Sequence, residues 1–500
     1  MITMLNVKAS QSGQNVCTRL TTTLTSWIAF AGLLIGVATA QAQPPNIVFI
    51  MADDLGWADV GYNGAGFYET PNIDALCKSG MEFSNSYPGG ANCMPSRAMI
   101  MTGMYTTRTK MWQPGVVSKG HVPYMRLLVP NKQNRKGNGK VPAKGSLDPS
   151  VVSLAELLKQ RGYKTVHLGK WHLGRDGQGF DQNNVDGRGA GLKKDQRFYG
   201  NEDVAQWLTD AAVKYINESK DDPFFLYLNH YDVHVPINAR KNVVAKYQKK
   251  LASKDWSRDW NPVYAAMIEA VDTSVGRVWQ ALKDKGLSEN TLIIFTSDNG
   301  GFGGATSNAP LKGSKGGFNE GGIRVPTCMS WSGTITPGTV CDTPVTGVDY
   351  FPTFAELADA PLPDPNEQPL DGVSLVPLIH GRTIPERPIY WHYPLYLSGR
   401  VAVRPIFGTN RMYWRATPCS VVRKGDWKLM QFFETDSVEL YNVNEDIGET
   451  TDLASSHSEK ASELLTMLKK WQVDTDADIP TTLNPDFDPT SKPTDNKKSK

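Results

Sequence analysis

Three carboxylates and one amide occupy matching places in this chain. Asp53-Asp54 follows the apolar run from Asn46 to Met51, and Asp298-Asn299 follows the run from Leu292 to Ser297. An all-oxygen set of this kind suits a hard divalent cation, Ca²⁺ ahead of Mg²⁺, and does not suit Zn²⁺. Brought into one crevice, three acids repel one another unless a cation sits among them. A solvated turn at Asp53-Asp54 would leave the matching position of Asp298-Asn299 unexplained. Two more apolar runs end in polar groups: Tyr163 to Gly169 stops at Lys170-Trp171-His172, and Phe224 to Leu228 stops at Asn229-His230, with His234 beyond.

Short apolar runs that turn polar only at their C-terminal ends suit parallel strands buried on both faces. Helical patterns fill the gaps, over Val152 to Arg161, Val204 to Ser219 and Tyr264 to Lys285. Alternating helix and strand implies an α/β class domain built on a doubly wound, mostly parallel sheet. Its binding crevice lies outside the carboxyl ends of the strands, where all four polar clusters would meet. That domain is expected over residues 43–385. A smaller C-terminal α+β subdomain, 386–480, should carry a short antiparallel sheet from Ile389 to His392, Ser420 to Arg423, Lys428 to Gln431 and Glu439 to Tyr441, with a turn at Gly425-Asp426. The amphipathic stretch Ser458 to Val473 should close over it. The tail 481–500, rich in Pro, Asp, Thr and Lys, is expected to be disordered.

Residues 1–42 carry Lys8 and Arg19 but no acid, then an apolar run from Trp27 to Val37, then Ala38-Thr39-Ala40 and Ala40-Gln41-Ala42. This is the grammar of a signal peptide, so the chain is expected to be exported, periplasmic or secreted. The run falls short of the ~20 apolar residues of a spanning helix, and no transmembrane anchor is expected. Lys and Arg number 53 against 51 acids, a net charge of +2 that gives no global field for nucleic acid or a membrane surface. Loss of Cys17 with the signal leaves Cys77, Cys93, Cys328, Cys341 and Cys419, an odd count with one thiol unpaired. Cys328 and Cys341 flank an expected strand-turn-strand centred on Pro337-Gly338 and could close a small disulfide loop, with Cys77 and Cys419 as buried free thiols.

The pentapeptide Cys93-Met94-Pro95-Ser96-Arg97, followed by Thr102-Gly103, resembles the Cys-x-Pro-Ser-Arg element of the type I, formylglycine-dependent sulfatases, and the likeness runs from about Asn46 to Leu453. The resemblance implies an alkaline phosphatase-like fold and conversion of Cys93 to Cα-formylglycine (3-oxoalanine) by a separate maturation enzyme. The metal ligands would be Asp53, Asp54, Asp298, Asn299 and the modified residue 93. Basic residues follow by motif: Arg97 in the pentapeptide, Lys170 and His172 in Gly169-Lys170-Trp171-His172-Leu173-Gly174, His234 in His234-Val235-Pro236, and Lys315 in Gly313-Ser314-Lys315-Gly316 ahead of Glu320-Gly321-Gly322.

On the implied reaction the hydrated aldehyde attacks sulfur while Lys170 and Lys315 hold the sulfate oxygens. His234 protonates the departing alcohol, His172 takes the proton of the second hydroxyl to expel sulfate, and Arg97 orients the diol. A plain Ser or Cys lacks that second hydroxyl. His230 and His392 read as packing histidines, and Lys312 as a solvated or substrate-facing neighbour.

Export and sulfatase chemistry together imply a sulfated polysaccharide or oligosaccharide as substrate. Two stretches could shape its pocket: Lys110 to Lys144, with Arg126, Lys132, Arg135, Lys136 and Lys140 around Trp112 and Tyr124, and Tyr393 to Cys419, with Arg400, Arg404, Arg411, Tyr413, Trp414 and Arg415. Aromatics stack on sugars and Arg pairs with sulfate in bidentate fashion, though ordinary solvated loops read the same way. Three alternatives stay open: a phosphodiester or phosphonate monoester hydrolase of the same chemistry, a hydrolase of a small sulfate ester such as choline sulfate, and a glycan-binding protein in which Cys93 keeps its thiol.

Overall fold

The computed structural model describes residues 43–112, 123–127, 144–174, 177–184, 198–256, 260–399 and 401–491. The proposed signal peptide at 1–42, the basic residues Lys132, Arg135, Lys136 and Lys140, and Arg400 lie outside them. Eight strands form the main sheet: β1 (Asn46–Ala52), β2 (Met81–Phe83), β3 (Lys164–Gly169), β4 (Gln182–Asn184), β5 (Phe224–Asn229), β6 (Thr291–Ser297), β7 (Cys328–Ser330) and β8 (Thr339–Cys341). Their order is β4-β3-β5-β1-β6-β7-β2-β8. Pairing is parallel from β4 through β6 and between β2 and β8, and antiparallel where β7 meets β6 and β2.

The near-continuous apolar composition of β1 has a direct cause. Val48, Ile50 and Ala52 enter the core on one face of the sheet, while Ile47, Phe49 and Met51 enter the core on the other. A strand covered on both faces has no solvated side on which to alternate. Helices α1 (Pro71–Lys78), α4 (Val204–Glu218) and α5 (Pro262–Asp284) contribute to the first core; α2 (Cys93–Thr102), α3 (Leu154–Lys159) and α6 (Tyr350–Leu357) contribute to the second. Local signals set the ends. Ser153 and Glu156 form a capping box on α3, and the Asn261 side chain accepts from Val263 N at 3.0 Å and Tyr264 N at 3.3 Å ahead of Pro262 on α5.

The C-terminal sheet is antiparallel in the order β9 (Ile389–Tyr393), β10 (Cys419–Lys424), β11 (Trp427–Phe432), β12 (Ser437–Asn442). Helix α7 (Ser458–Asp474) packs Leu464, Leu468 and Trp471 against Val422, Leu429 and Leu440, and Trp471 stacks on Tyr390 at 4.6 Å. No helix among the described residues is long and apolar enough to cross a membrane.

Two expectations are corrected. Strands β7 and β8 do not pair with each other as a hairpin; they flank β2 on opposite sides, Cys328 beside Glu82 and Cys341 beside Phe83. With a strand between them Cys328 and Cys341 cannot join, and both are free thiols. The first part of the tail, 481–491, also differs: Leu483 bridges Leu127, Asn484 N donates to Arg126 O at 2.8 Å, and Asp488 N donates to Pro123 O at 2.7 Å. Backbone pairing with 123–127 holds this part in spite of its polar composition, and residues 492–500 lie outside the described residues.

Candidate active site

The carboxyl ends of β1, β3 and β6 deliver the polar clusters to one place. Asp53 and Asp54 leave β1, and Asp54 N donates to Asp298 Oδ1 at 3.2 Å at the end of β6. Gly169 ends β3 at φ 96°, where a Cβ would lie 1.9 Å from Asn229 O, so glycine alone lets β3 close on β5 and aim Lys170 inward. Asp54 (φ 68°) and His172 (φ 64°) are held in left-handed backbone, which costs about 1 kcal/mol or more for a side chain of this kind and persists because the surroundings fix it.

Asp53, Asp54, Arg97, Asp298 and Asn299 are fully buried. Lys170 Nζ sits 2.6 Å from Asp53 Oδ2 and 4.0 Å from Asp298 Oδ2; Lys315 Nζ sits 2.7 Å from Asp54 Oδ1. Arg97 donates through Nε and Nη2 to Asp298 Oδ2 at 2.9 and 2.7 Å, and through Nη1 to Lys170 O at 2.6 Å. Cys93, first residue of α2, points its sulfur at Asp53 Oδ1 (3.5 Å) and Asp54 Oδ1 (3.8 Å). His234 Nε2 is 3.7 Å from Asp54 Oδ2. All ten residues singled out in the sequence are described; eight are joined by these contacts, and Asn299 joins them through Asp54. His172, two residues beyond Lys170, has a buried Nδ1 with no hydrogen-bond partner.

Charge follows geometry. Burial and Asp298 oppose ionisation of Asp53, yet Lys170, His234 and Lys315 hold its carboxyl below the ordinary value. Burial, with Asp298 adding to it, pushes the Cys93 thiol up to about 12, so the sulfur stays protonated and is a poor nucleophile. Burial together with Lys170 and Arg97 pushes His172 down to about 3, leaving a neutral imidazole able to accept a proton. The ligand atoms of Asp53, Asp54, Cys93 and His234 lie within 4.8 Å of one another and could hold a metal ion. Asn299 supports the fit: its Nδ2 donates to Asp54 Oδ1 at 2.8 Å, while its Oδ1 is buried without a partner.

A family model described as Sulfatase matches residues 45–360, and one described as N-sulphoglucosamine sulphohydrolase, C-terminal, matches 315–476. This chain belongs to the sulfatase family. A sulfatase of Formosa agariphila is 32% identical over 90% of this chain and 94% of its own length. Human arylsulfatase A is 30% identical over 88% and 89%. The crystal structure of Ps i-CgsB in complex with k-i-k-neocarrahexaose aligns with a TM-score of 0.66 at 30% identity, covering 87% of this chain and 94% of that one. The fold is therefore the alkaline phosphatase-like α/β architecture, and the enzyme is a sulfuric ester hydrolase.

The sulfatase site holds residues that sequence patterns did not mark. Tyr199 packs its ring 4.8 Å from that of His234, and Lys170 Nζ lies 5.6 Å from the Tyr199 centroid. Arg415 donates from Nη1 to Lys315 O at 2.8 Å and from Nε to Ser398 O at 3.2 Å, which brings one of the noted arginines beside the catalytic cleft. Arg126 is elsewhere, donating to Glu434 O and stacking 3.6 Å over Phe407. Lys312 is half-buried, and its Nζ donates to Glu449 O at 3.0 Å. Behind Lys315, Lys428 Nζ bridges Glu320 and Glu449, 2.9 Å from each. His392 is a packing residue, bonded to Ser420 Oγ at 2.7 Å and edge-on to Trp112. His230 is buried beneath the strand end, its amide on Met51 O.

Proposed function

We propose that this sulfatase removes sulfate from a sulfated polysaccharide or oligosaccharide, with residue 93 matured to formylglycine and Ca²⁺ bound by Asp53, Asp54, Asp298, Asn299 and residue 93. The observation that carries this reading is the convergence of three fully buried carboxylates and the unpartnered Asn299 Oδ1 near residue 93, an all-oxygen donor set that suits a hard divalent cation.

When present, the two groups supply an acidified hydroxyl, a second hydroxyl for sulfate release, and positive charge. The chain supplies the rest. Lys170 and Lys315 hold the sulfate oxygens in a site closed to bulk water, where charge is stabilised most. His234 hydrogen-bonds Val235 O through Nδ1 at 2.5 Å, which leaves Nε2 to deliver a proton to the leaving alcohol. His172, neutral, accepts the proton that frees sulfate. Arg97 holds Asp298 and the Lys170 backbone and through them orients residue 93.

The glycan assignment draws support from two directions. Arg415 reaches the cleft from the C-terminal sheet region with its guanidinium on main-chain carbonyls, where it meets an anionic sugar. A solved relative of 30% identity binds the oligosaccharide k-i-k-neocarrahexaose. We further infer export through a signal peptide at 1–42, maturation by a formylglycine-generating enzyme, and a functional division near residue 385 between the catalytic domain and the C-terminal subdomain. A screen of sulfated mono- and disaccharides by sulfate release, with Cys93→Ala as blank, tests the substrate class. Release from at least one sugar is expected; turnover of simple aryl sulfates alone would overturn it.

A further inference from the structure

Two thiols that the reaction does not use lie against each other. Cys77 sits in the last turn of α1 and Cys328 opens β7; both are buried, unbonded thiols of the same apolar core, and the neighbouring Cys77 side chain pushes the Cys328 thiol up. Two residues further along each element, Ser79 Oγ and Ser330 Oγ are 2.9 Å apart, so the helix end and the strand pass in a fixed register. The approach is tight: a Cβ on Gly80 would lie 2.1 Å from Met329 O. The remaining cysteines among the described residues are placed otherwise, Cys93 at the active site, Cys341 across β2 on β8, and Cys419 in the C-terminal sheet.

We propose that Cys77 and Cys328 join as a disulfide in the mature protein. The bond clasps the helix that follows the Asp53-Asp54 loop to the strand that follows the Lys315 segment, tying together two parts of the chain that each deliver residues to the active site. Each thiol gives up one proton and one electron as the S–S bond forms. The two electrons and two protons pass to an oxidising disulfide, that of a thiol oxidase in an export compartment or of glutathione in vitro, which is reduced to two thiols. Both sulfurs are buried, so exchange belongs to folding, before the core closes over them. The bonded sulfurs come to about 2.0 Å, nearer than unbonded thiols, so formation turns the side chains or draws α1 slightly toward β7.

The full chain is refolded in a buffer of oxidised and reduced glutathione, blocked with an alkylating reagent without reductant, digested and weighed. The Cys77 peptide is expected joined to the Cys328 peptide, two hydrogens below the sum of their masses. The melting temperature is expected to fall when dithiothreitol is added. Cys77→Ser and Cys328→Ser fold and show a melting temperature indifferent to dithiothreitol. Alkylation of both Cys77 and Cys328 after oxidative refolding would overturn the proposal, and so would a Cys328 peptide linked to Cys341. The mature N-terminus of protein recovered from cells reports separately on export, so failure of that reading leaves this test intact.

Discussion

Lys315 Nζ lies 2.7 Å from Asp54 Oδ1 and 2.8 Å from Asp54 Oδ2, although a long stretch of chain separates the two residues. Lysine and the proposed cation would thus draw on the same carboxylate. Replacing Lys315 with Met should strengthen Ca²⁺ binding, by about tenfold, because one cation in contact with the ligand set has gone. Turnover should fall on every sulfate ester, by on the order of 10²- to 10³-fold, because a sulfate oxygen loses its partner. Calorimetric Ca²⁺ titration alongside sulfate release checks both; weaker Ca²⁺ binding by the variant would count against the shared-ligand picture.

The two arginines grouped together in sequence should behave differently. Arg415→Ala should lower glycan kcat/KM about tenfold while aryl sulfate turnover falls much less, because a charge-assisted contact to the sugar is lost. Arg126 is bonded to Glu434 O and stacked on Phe407, so Arg126→Ala should cost about 1 kcal/mol in urea unfolding and leave the ratio of the two activities unchanged. Equal loss on both substrates for Arg415→Ala would assign it a structural part.

Lys428 is buried between Glu320 and Glu449. Burial alone would raise Glu320, but Lys428, Arg324 and Arg423 hold it well below the ordinary carboxylate value. Lys428→Met leaves two buried carboxyls without their shared cation and should destabilise by about 3–5 kcal/mol. Urea denaturation of both proteins at neutral pH measures the difference.

Glu434 gives a pH signature away from the active site. Burial pushes its carboxyl up from 4.5 to about 7, against the hydrogen bond from Tyr396 and the charge of Arg126. Between those two values the folded state keeps a proton that the unfolded state has released. Stability from this group is therefore full below about pH 4.5 and is lost as pH rises through 7, on the order of 3 kcal/mol in all. Glu434→Gln should flatten that fall relative to wild type, as read by thermal unfolding from pH 5 to 8. Parallel curves for the two proteins would contradict the shift.

Much of the site could be read in the sequence because β1, β3 and β6 are buried on both faces, which favours their C-terminal ends as places for the charged groups of a site. Asp53, Asp298 and Lys170 could be placed by that rule alone. Cys93, Arg97 and Lys315 lie off those strand ends, and only motif resemblance found them. Tyr199 escaped because its neighbours form no pattern and its contact with His234 is tertiary. The pairing of β2 between β7 and β8, which parts Cys328 from Cys341, is a matter of strand order that spacing does not encode. The tail through Ser491 is held by backbone bonds to 123–127, which composition does not reveal.

The mass of the peptide bearing residue 93, taken from protein that is actively releasing sulfate from a glycan, tests the central claim most directly. The account predicts a residue about 18 Da lighter than cysteine, the change from a thiol to an aldehyde. Active enzyme whose residue 93 is wholly an unmodified thiol would contradict it.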